Sequence, residues 1–309
     1  MTGLRAPGLL GVAVDLNGAR ADRAMEVTRI AEGYQADFVS VPDHPYAPGE
    51  LDTWTMLTTL AARSRHIAVA SNVTALPLRP PVMLAKAVAS LQVLSGGRAV
   101  LGVGAGDPQA ASFGAPSWSP GEAVSALDEA IRLVRELWTT PRGSRTSFDG
   151  TFYQAPQSAF GPVPDTPPPI WVGAFGPRML TLTGRLADGW IPTNAYLELA
   201  DVPKMQRRID DAADRAGRDP RDVRRILNVM GSISDTAPSE NGRRLTGPVS
   251  SWVDALGDCH QRLGFDSFTF WPVAGDRVTQ VSRFFEQVRP QLDGDFQPTI
   301  GAAPCAHHV

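Results

Sequence analysis

The feature that most constrains this chain is a rhythm. Short runs rich in Val, Ile and Phe are each followed by a longer amphipathic stretch, eight times over. The runs are Leu9–Val14, Phe38–Val41, Ile67–Val73, Ala99–Val103, Ile170–Gly173, Trp190–Thr193, Arg225–Ile233 and Ser267–Trp271. The stretches are residues 21–34, 53–64, 81–94, 123–138, 178–187, 202–216, 250–263 and 278–292. Near-continuous apolar strands are what a parallel sheet buried on both faces requires. Alternation with helices gives the α/β class. A doubly wound open sheet is the structural alternative. The count of eight, and the lack of an edge-strand signature, favour a (β/α)8 TIM barrel. The rhythm breaks at residues 140–168, which carry five prolines between 162 and 169, and at the polar segment 235–247. The expected fold is therefore a barrel with insertions after helix four and strand seven. It forms a single domain over residues 1–292 with a flexible tail, 293–309.

A chain of 309 residues is long enough for such a barrel, which takes about 250. Lys+Arg total 29 against 32 Asp+Glu, for a net charge of −3. That lacks the basic footprint of a nucleic-acid partner. No apolar run approaches the roughly 20 residues of a membrane span, and Met1–Gly8 lacks the pattern of a signal peptide. Two cysteines, Cys259 and Cys305, make no disulfide framework, so a cytoplasmic location is expected.

In a parallel barrel, chemistry sits at the carboxyl ends of the strands. After strand two stand Asp43 and His44, a pair suited to proton transfer or to orienting a ring; the plainer reading is a loop histidine and a turn-capping acid. Asn72 and Val73 end strand three. Strand four ends in Gly102-Val103-Gly104-Ala105-Gly106-Asp107, which is not the dinucleotide fingerprint, because the third glycine comes one position early. These glycines allow a ligand or a neighbouring backbone to come close. Asp107 is either a pocket acid or a helix cap. After strand five, Gly173-Ala174-Phe175-Gly176-Pro177-Arg178 opens a helix whose free N–H groups suit a cofactor phosphate, although such a start is common without any ligand. Trp54 and Trp271 are candidates for the substrate side. No metal is expected: no H-E-x-x-H, C-x-x-C or carboxylate cluster has ligand spacing. No G-x-S-x-G supports a hydrolase.

Two longer stretches carry a resemblance. They are Leu78–Asp107, LRPPVMLAKAVASLQVLSGGRAVLGVGAGD, and Pro167–Pro192, PPPIWVGAFGPRMLTLTGRLADGWIP. Together they resemble the bacterial luciferase-like superfamily of flavin- and deazaflavin-dependent oxidoreductases, over roughly residues 8–290. Within it the chain looks most like the branch using coenzyme F420. Asp43-His44 is similar to that branch's Asp-His after strand two, whose histidine lies beside the deazaflavin ring. GVGAGD is similar to the corresponding segment of methylene-tetrahydromethanopterin reductases.

The resemblance implies His44 and Asp107 as acid/base residues. It implies a cofactor site of Asp43, Asn72, Val73, Gly104, Gly173, Ala174, Phe175, Gly176, Pro177 and Arg178, with a non-proline cis peptide at Asn72–Val73. It also implies a small-molecule substrate and a homodimer. Departures are Pro48, where some relatives carry an aromatic residue, and Pro42, where serine is usual. The alternatives are an FMN-dependent monooxygenase on the same fold and a cofactor-free binding barrel. The segments 140–168 and 235–247 are candidate lids.

Overall fold

The computed structural model describes residues 8–236 and 243–292. In chain order these form β1 (Leu10–Ala13), α1 (Ala21–Gly33), β2 (Phe38–Val41), α2 (Thr53–Arg63), β3 (Ala68–Ser71), β4 (Thr74–Ala75), α3 (Pro81–Leu94), β5 (Ala99–Gly104) and α4 (Pro120–Thr139). There follow β6 (Arg145–Asp149), β7 (Gln154–Ala159), β8 (Ile170–Val172), α5 (Pro177–Leu186), β9 (Gly189–Trp190), α6 (Val202–Arg215), β10 (Arg224–Ile233), β11 (Leu245–Gly247), α7 (Val249–Gln261), β12 (Ser267–Pro272) and α8 (Arg277–Arg283). Strands β1, β2, β3, β5, β8, β9, β10 and β12 pair parallel, each with the next, and β12 closes the ring on β1 with Leu10 opposite Phe268. The expected barrel is the observed one.

Strand pairing makes two apolar shells. The outer one lies between strands and helices. The inner one fills the lower barrel with Leu9, Phe38, Ala68, Ala70, Val100, Trp171, Ile191 and Ile226. Phe38 and Trp171 meet edge to face with centroids 5.0 Å apart, a favourable aromatic geometry. Gly11 makes room for this plug: a Cβ there would come within 2.4 Å of the Phe38 ring. The barrel is thus shut at its amino-terminal end, and any ligand must enter from the other.

The expected strand Ile67–Val73 is cut short at Ser71. The Asn72–Val73 bond is cis, as the resemblance implied, and the chain resumes pairing as β4 beside β5. The 140–168 insertion contains an antiparallel hairpin, β6–β7. It joins the end of α4 to the start of β8. Helices run back down the barrel, so this connection leaves and re-enters at the end opposite the mouth, while the hairpin tip turns back along α4. Glu129, midway along α4, holds the tip against the helix, accepting from the N–H groups of Thr151, Phe152 and Tyr153. The hairpin flanks α4, and its tip reaches the segment before that helix, where Trp118 meets Phe152 and Tyr153 edge to face at 5.6 and 6.3 Å. The second insertion follows β10, at the mouth, and ends in β11, which adds a parallel strand to β10. Residues 237–242 of that insertion, and the tail 293–309, lie outside the described residues.

Candidate active site

Above the apolar plug the barrel interior turns polar. The Asn72 amide donates to Ser40 Oγ at 3.1 Å and to Asn228 Oδ1 at 2.8 Å, and Asn228 donates back to Asn72 Oδ1 at 3.1 Å. This reciprocal pair spans the barrel from β3 to β10 and forms the floor of the mouth. The side chain of Asn72 is thus engaged within the protein by Ser40 and Asn228.

Val73 rides on the glycines of its neighbours. A Cβ at Gly104 would come 2.9 Å from Val73 Cγ2, and one at Gly173 would come 3.4 Å from both Val73 methyls. A Cβ at Gly102 would overlap the Ser71 carbonyl at 1.9 Å. The glycines of β5 are therefore required first by the backbone bulge at residues 71–73. Gly104 supports Val73 directly.

Asp43 is buried at the top of β2. Its carboxylate accepts from Ala75 N–H at 3.0 Å, from Arg79 Nε at 2.8 Å and from Arg79 Nη2 at 2.8 Å. Arg79 reaches on to Asp52, the cap of α2, at 2.7 Å. Burial works against the Arg79 charge, but the two carboxylates outweigh it and hold its pKa above the ordinary value. Thr53 ties the same corner by donating to the Pro42 carbonyl. Asp43 is thus an internal clamp that fixes the chain on the far side of Val73.

His44, the next residue, faces outward with 45% of its side chain exposed. Its ring lies 5.8 Å from that of Tyr46, and Nδ1 lies 3.7 Å from Glu50 Oε2. Burial pushes the Glu50 carboxyl up, partly offset by His44. Burial, with the charges of Asp107, Asp43 and Glu50, pushes the Tyr46 hydroxyl up to about 12. Tyr46 therefore stands among the two expected acid/base residues. Asp107 is exposed and caps the short turn that follows it, accepting from Gln109 N–H at 2.8 Å.

The segment after β8 divides. Ala174 is buried, and its carbonyl accepts from Trp190 Nε1 at 2.8 Å, so its side chain offers nothing to a ligand. Phe175 is exposed and meets Tyr196 edge to face at 6.0 Å. Gly176 begins α5 without a side-chain cap, with Pro177 in the first turn. A Cβ on Gly176 would meet nothing within 4 Å. Arg178 turns away from its own helix start, donating to Ser125 Oγ of α4 at 3.0 Å. Trp54 is buried in the first turn of α2, whereas Trp271 is half-buried at the end of β12.

A family model described as luciferase-like monooxygenase matches residues 3–268. The chain belongs to that family. Among its relatives, the phthiodiolone/phenolphthiodiolone dimycocerosates ketoreductase of Mycobacterium kansasii is 34% identical over 194 residues, covering 62% of this chain and 50% of the relative. The F420-dependent hydroxymycolic acid dehydrogenase of Mycobacterium tuberculosis is 32% identical over 235 residues, covering 73% of this chain and 63% of the relative. The chain thus spans from half to just under two thirds of the length of these relatives. An F420-dependent secondary alcohol dehydrogenase, solved with an F420–acetone adduct, superposes with a TM-score of 0.83 at 17% identity, over 93% of this chain and all of that one. That likeness shows the fold.

This luciferase-like chain also places residues at the mouth that motif reading did not single out. Arg79 lies inside the quoted LRPP stretch and was passed over because no spacing rule pairs it with Asp43, 36 positions away. Asn228 is 156 residues from Asn72. Glu50 and Tyr196 sit in loops without periodicity, and only nearness to His44 in the sequence offered a signal for Glu50.

Proposed function

We propose that this protein is an oxidoreductase that transfers a hydride between coenzyme F420 and a small organic substrate. The observation that carries the reading is the Val73 bulge, seated on Gly104 and Gly173 at the open end of the barrel, with Asp43 of the Asp-His pair bonded to Ala75 just beyond it. The residues present fit a flat ring with a phosphate tail. The glycine faces beside Val73 carry no side chains, the floor beneath is closed by the Asn72–Asn228 pair, and the open space over Gly176 adjoins an uncapped helix start. Support also comes from relatives whose names specify F420.

In this reading Val73 and the 72–73 backbone back the ring, and Asp43 fixes them through Ala75 and Arg79. The N–H groups of Gly176 and Arg178 hold phosphate, with Phe175 and Tyr196 walling that side. His44 holds or moves a proton at a ring nitrogen, and Asp107 is the second acid at the rim. When bound, the deazaflavin supplies the carbon that carries hydride; the protein's part is to orient and to exclude water.

The deciding experiment offers F420 and FMN separately and follows binding by fluorescence quenching. Micromolar F420 binding with none for FMN is expected. The reverse result would make the protein an FMN-dependent monooxygenase, and binding of neither would leave a cofactor-free barrel. A substrate screen followed at the F420 absorbance then gives substrate and direction. We further propose a cytoplasmic homodimer. Exposed Met83, Val93 and Leu94 on the outer face of α3 support self-association, which light scattering checks. Among the described residues no helix is long and apolar enough to cross a membrane.

A further inference from the structure

We propose that Glu50 is a positioning residue for His44, holding one ring nitrogen so that the other is presented to reactants in the mouth. The inference rests on the role given to His44 above. Glu50 is fixed through its backbone. Ala47 N–H donates to the His44 carbonyl at 2.8 Å, and Glu50 N–H donates to the Ala47 carbonyl at 3.3 Å. On either side, Gly18 N–H donates to Gly49 and Leu51 N–H donates to Leu16, at 2.8 and 2.9 Å, with Glu50 bridged to Asn17. Two successive turns thus carry the chain from His44 to Glu50 and anchor it on the loop after β1.

The carboxylate so placed is incomplete. Glu50 Oε2 is buried and has no hydrogen-bond partner. A buried acceptor without a donor is destabilising, so the site favours a donor that can reach it. The donor within reach is His44 Nδ1, at 3.7 Å, slightly beyond a hydrogen bond, on a side chain exposed enough to turn. Catalytic hydrogen bonds are commonly this loose before ligand binds. Neighbouring cations are engaged elsewhere: Arg79 by Asp43 and Asp52, and Arg277 by Asp15 at 3.2 Å. The remaining groups facing this corner are the Tyr46 hydroxyl and, around it, Asp107 and Tyr196. None is a cation that competes with His44 for Glu50.

The consequence is a proton balance. With Nδ1–H held by Glu50, the other nitrogen, Nε2, is unprotonated. A proton accepted at Nε2 makes an imidazolium facing a carboxylate, and no proton leaves the pair. Donation from Nε2 restores the neutral ring. The same arrangement is used wherever a carboxylate orients a catalytic imidazole.

The test begins on the protein without cofactor. Glutamate carboxyl carbons are labelled, Glu50→Gln assigns the Glu50 signal, and its titration is followed by NMR. His44→Gln, a change at an exposed side chain, is expected to move the Glu50 midpoint upward, because the charge that holds it down is gone. An unmoved midpoint would overturn the pairing. In turnover, Glu50→Gln is expected to lower kcat roughly tenfold or more, with KM within about twofold. It should also move the acid limb of the pH–rate profile to lower pH, because the imidazolium loses its counter-charge. Full kcat with an unshifted limb would equally overturn it. If no F420-linked turnover exists, the carboxyl titration still decides the pairing, so failure of the cofactor reading and failure of this inference are separable.

Discussion

Asp43 and Arg79 form a two-pronged ion pair in which the acid is 1% exposed and the base 20%. A third bond, from Ala75 N–H, makes the same carboxylate a splint for the chain just past the cis bond. Removing one member of a buried pair leaves the other charged and short of a partner. Asp43→Asn is therefore expected to cost about 3 kcal/mol in urea unfolding. Cofactor affinity should fall with it, since Val73 loses its fixed position. The conservative Asp43→Glu change is expected to fail as well, because the longer side chain cannot keep both oxygens and Ala75 in register. A wild-type melting curve for Asp43→Asn would show the clamp to be dispensable.

How much of this was readable in the sequence follows from range. Strands buried on both faces announce themselves by composition, so the eight runs and their helices were found, with errors only at the ends. The third strand was read to Val73 because Val73 is apolar. Apolar character does not reveal that the backbone turns over at Asn72, and only the resemblance to a family did so. The insertion after α4 is legible in its prolines, but its packing along α4, against Glu129 and Trp118, depends on long-range contacts that composition does not reveal. Asp43 and His44 were marked as a unit. Their environments separate them, one buried against Arg79 and the other exposed beside Glu50, and those partners come from loops that no periodicity describes.

Gly104 and Gly176 were both assigned to the cofactor, and the structure distinguishes them. At Gly104 a methyl group would press on Val73 at 2.9 Å; at Gly176 it would project into open space. Gly104→Ala is expected to destabilise the fold by about 1–3 kcal/mol through overpacking. Gly176→Ala should leave the melting curve within about 0.5 kcal/mol of wild type, as a surface change does. If phosphate sits on the α5 start, the same methyl should nevertheless weaken cofactor binding. Equal stability losses at the two positions would contradict the assignment.

His44→Ala separates chemistry from binding. The side chain is nearly half exposed and contributes little packing. Its loss is expected to lower turnover about 100-fold, in the range of general acid–base catalysis. Cofactor affinity by quenching should stay within about threefold. Unchanged turnover would remove the histidine from the mechanism.

Asp37 carries a pH dependence of stability. It lies beneath the barrel, accepting from Leu10 N–H at 2.8 Å. Burial raises its pKa, with Arg289 and hydrogen bonds pulling the other way. A raised folded value means that the folded state holds the proton where the unfolded state, near pH 4, has released it. Asp37 thus favours folding below that pH, and its contribution is lost as pH rises through the folded value. Asp37→Asn keeps an acceptor for Leu10 and removes the charge. The difference in unfolding free energy between variant and wild type is expected to grow in the variant's favour from about pH 4 upward, then level off. A difference independent of pH would show that Asp37 titrates as it does in the unfolded chain.

The Asn72–Asn228 pair should behave as one unit. Each amide satisfies the other across the barrel, and Asn72 has a second acceptor in Ser40. Asn228→Ala leaves Asn72 Oδ1 without its Asn228 donor above an apolar plug. The expected loss is about 2 kcal/mol, set by the unpaired group more than by the missing bond. Asn72→Ala should cost a similar amount. The double variant should then lose less than the two single losses combined, with a coupling of about 1 kcal/mol. Strict additivity would mean that water replaces each amide in turn, and the mouth would then extend below this floor into the barrel.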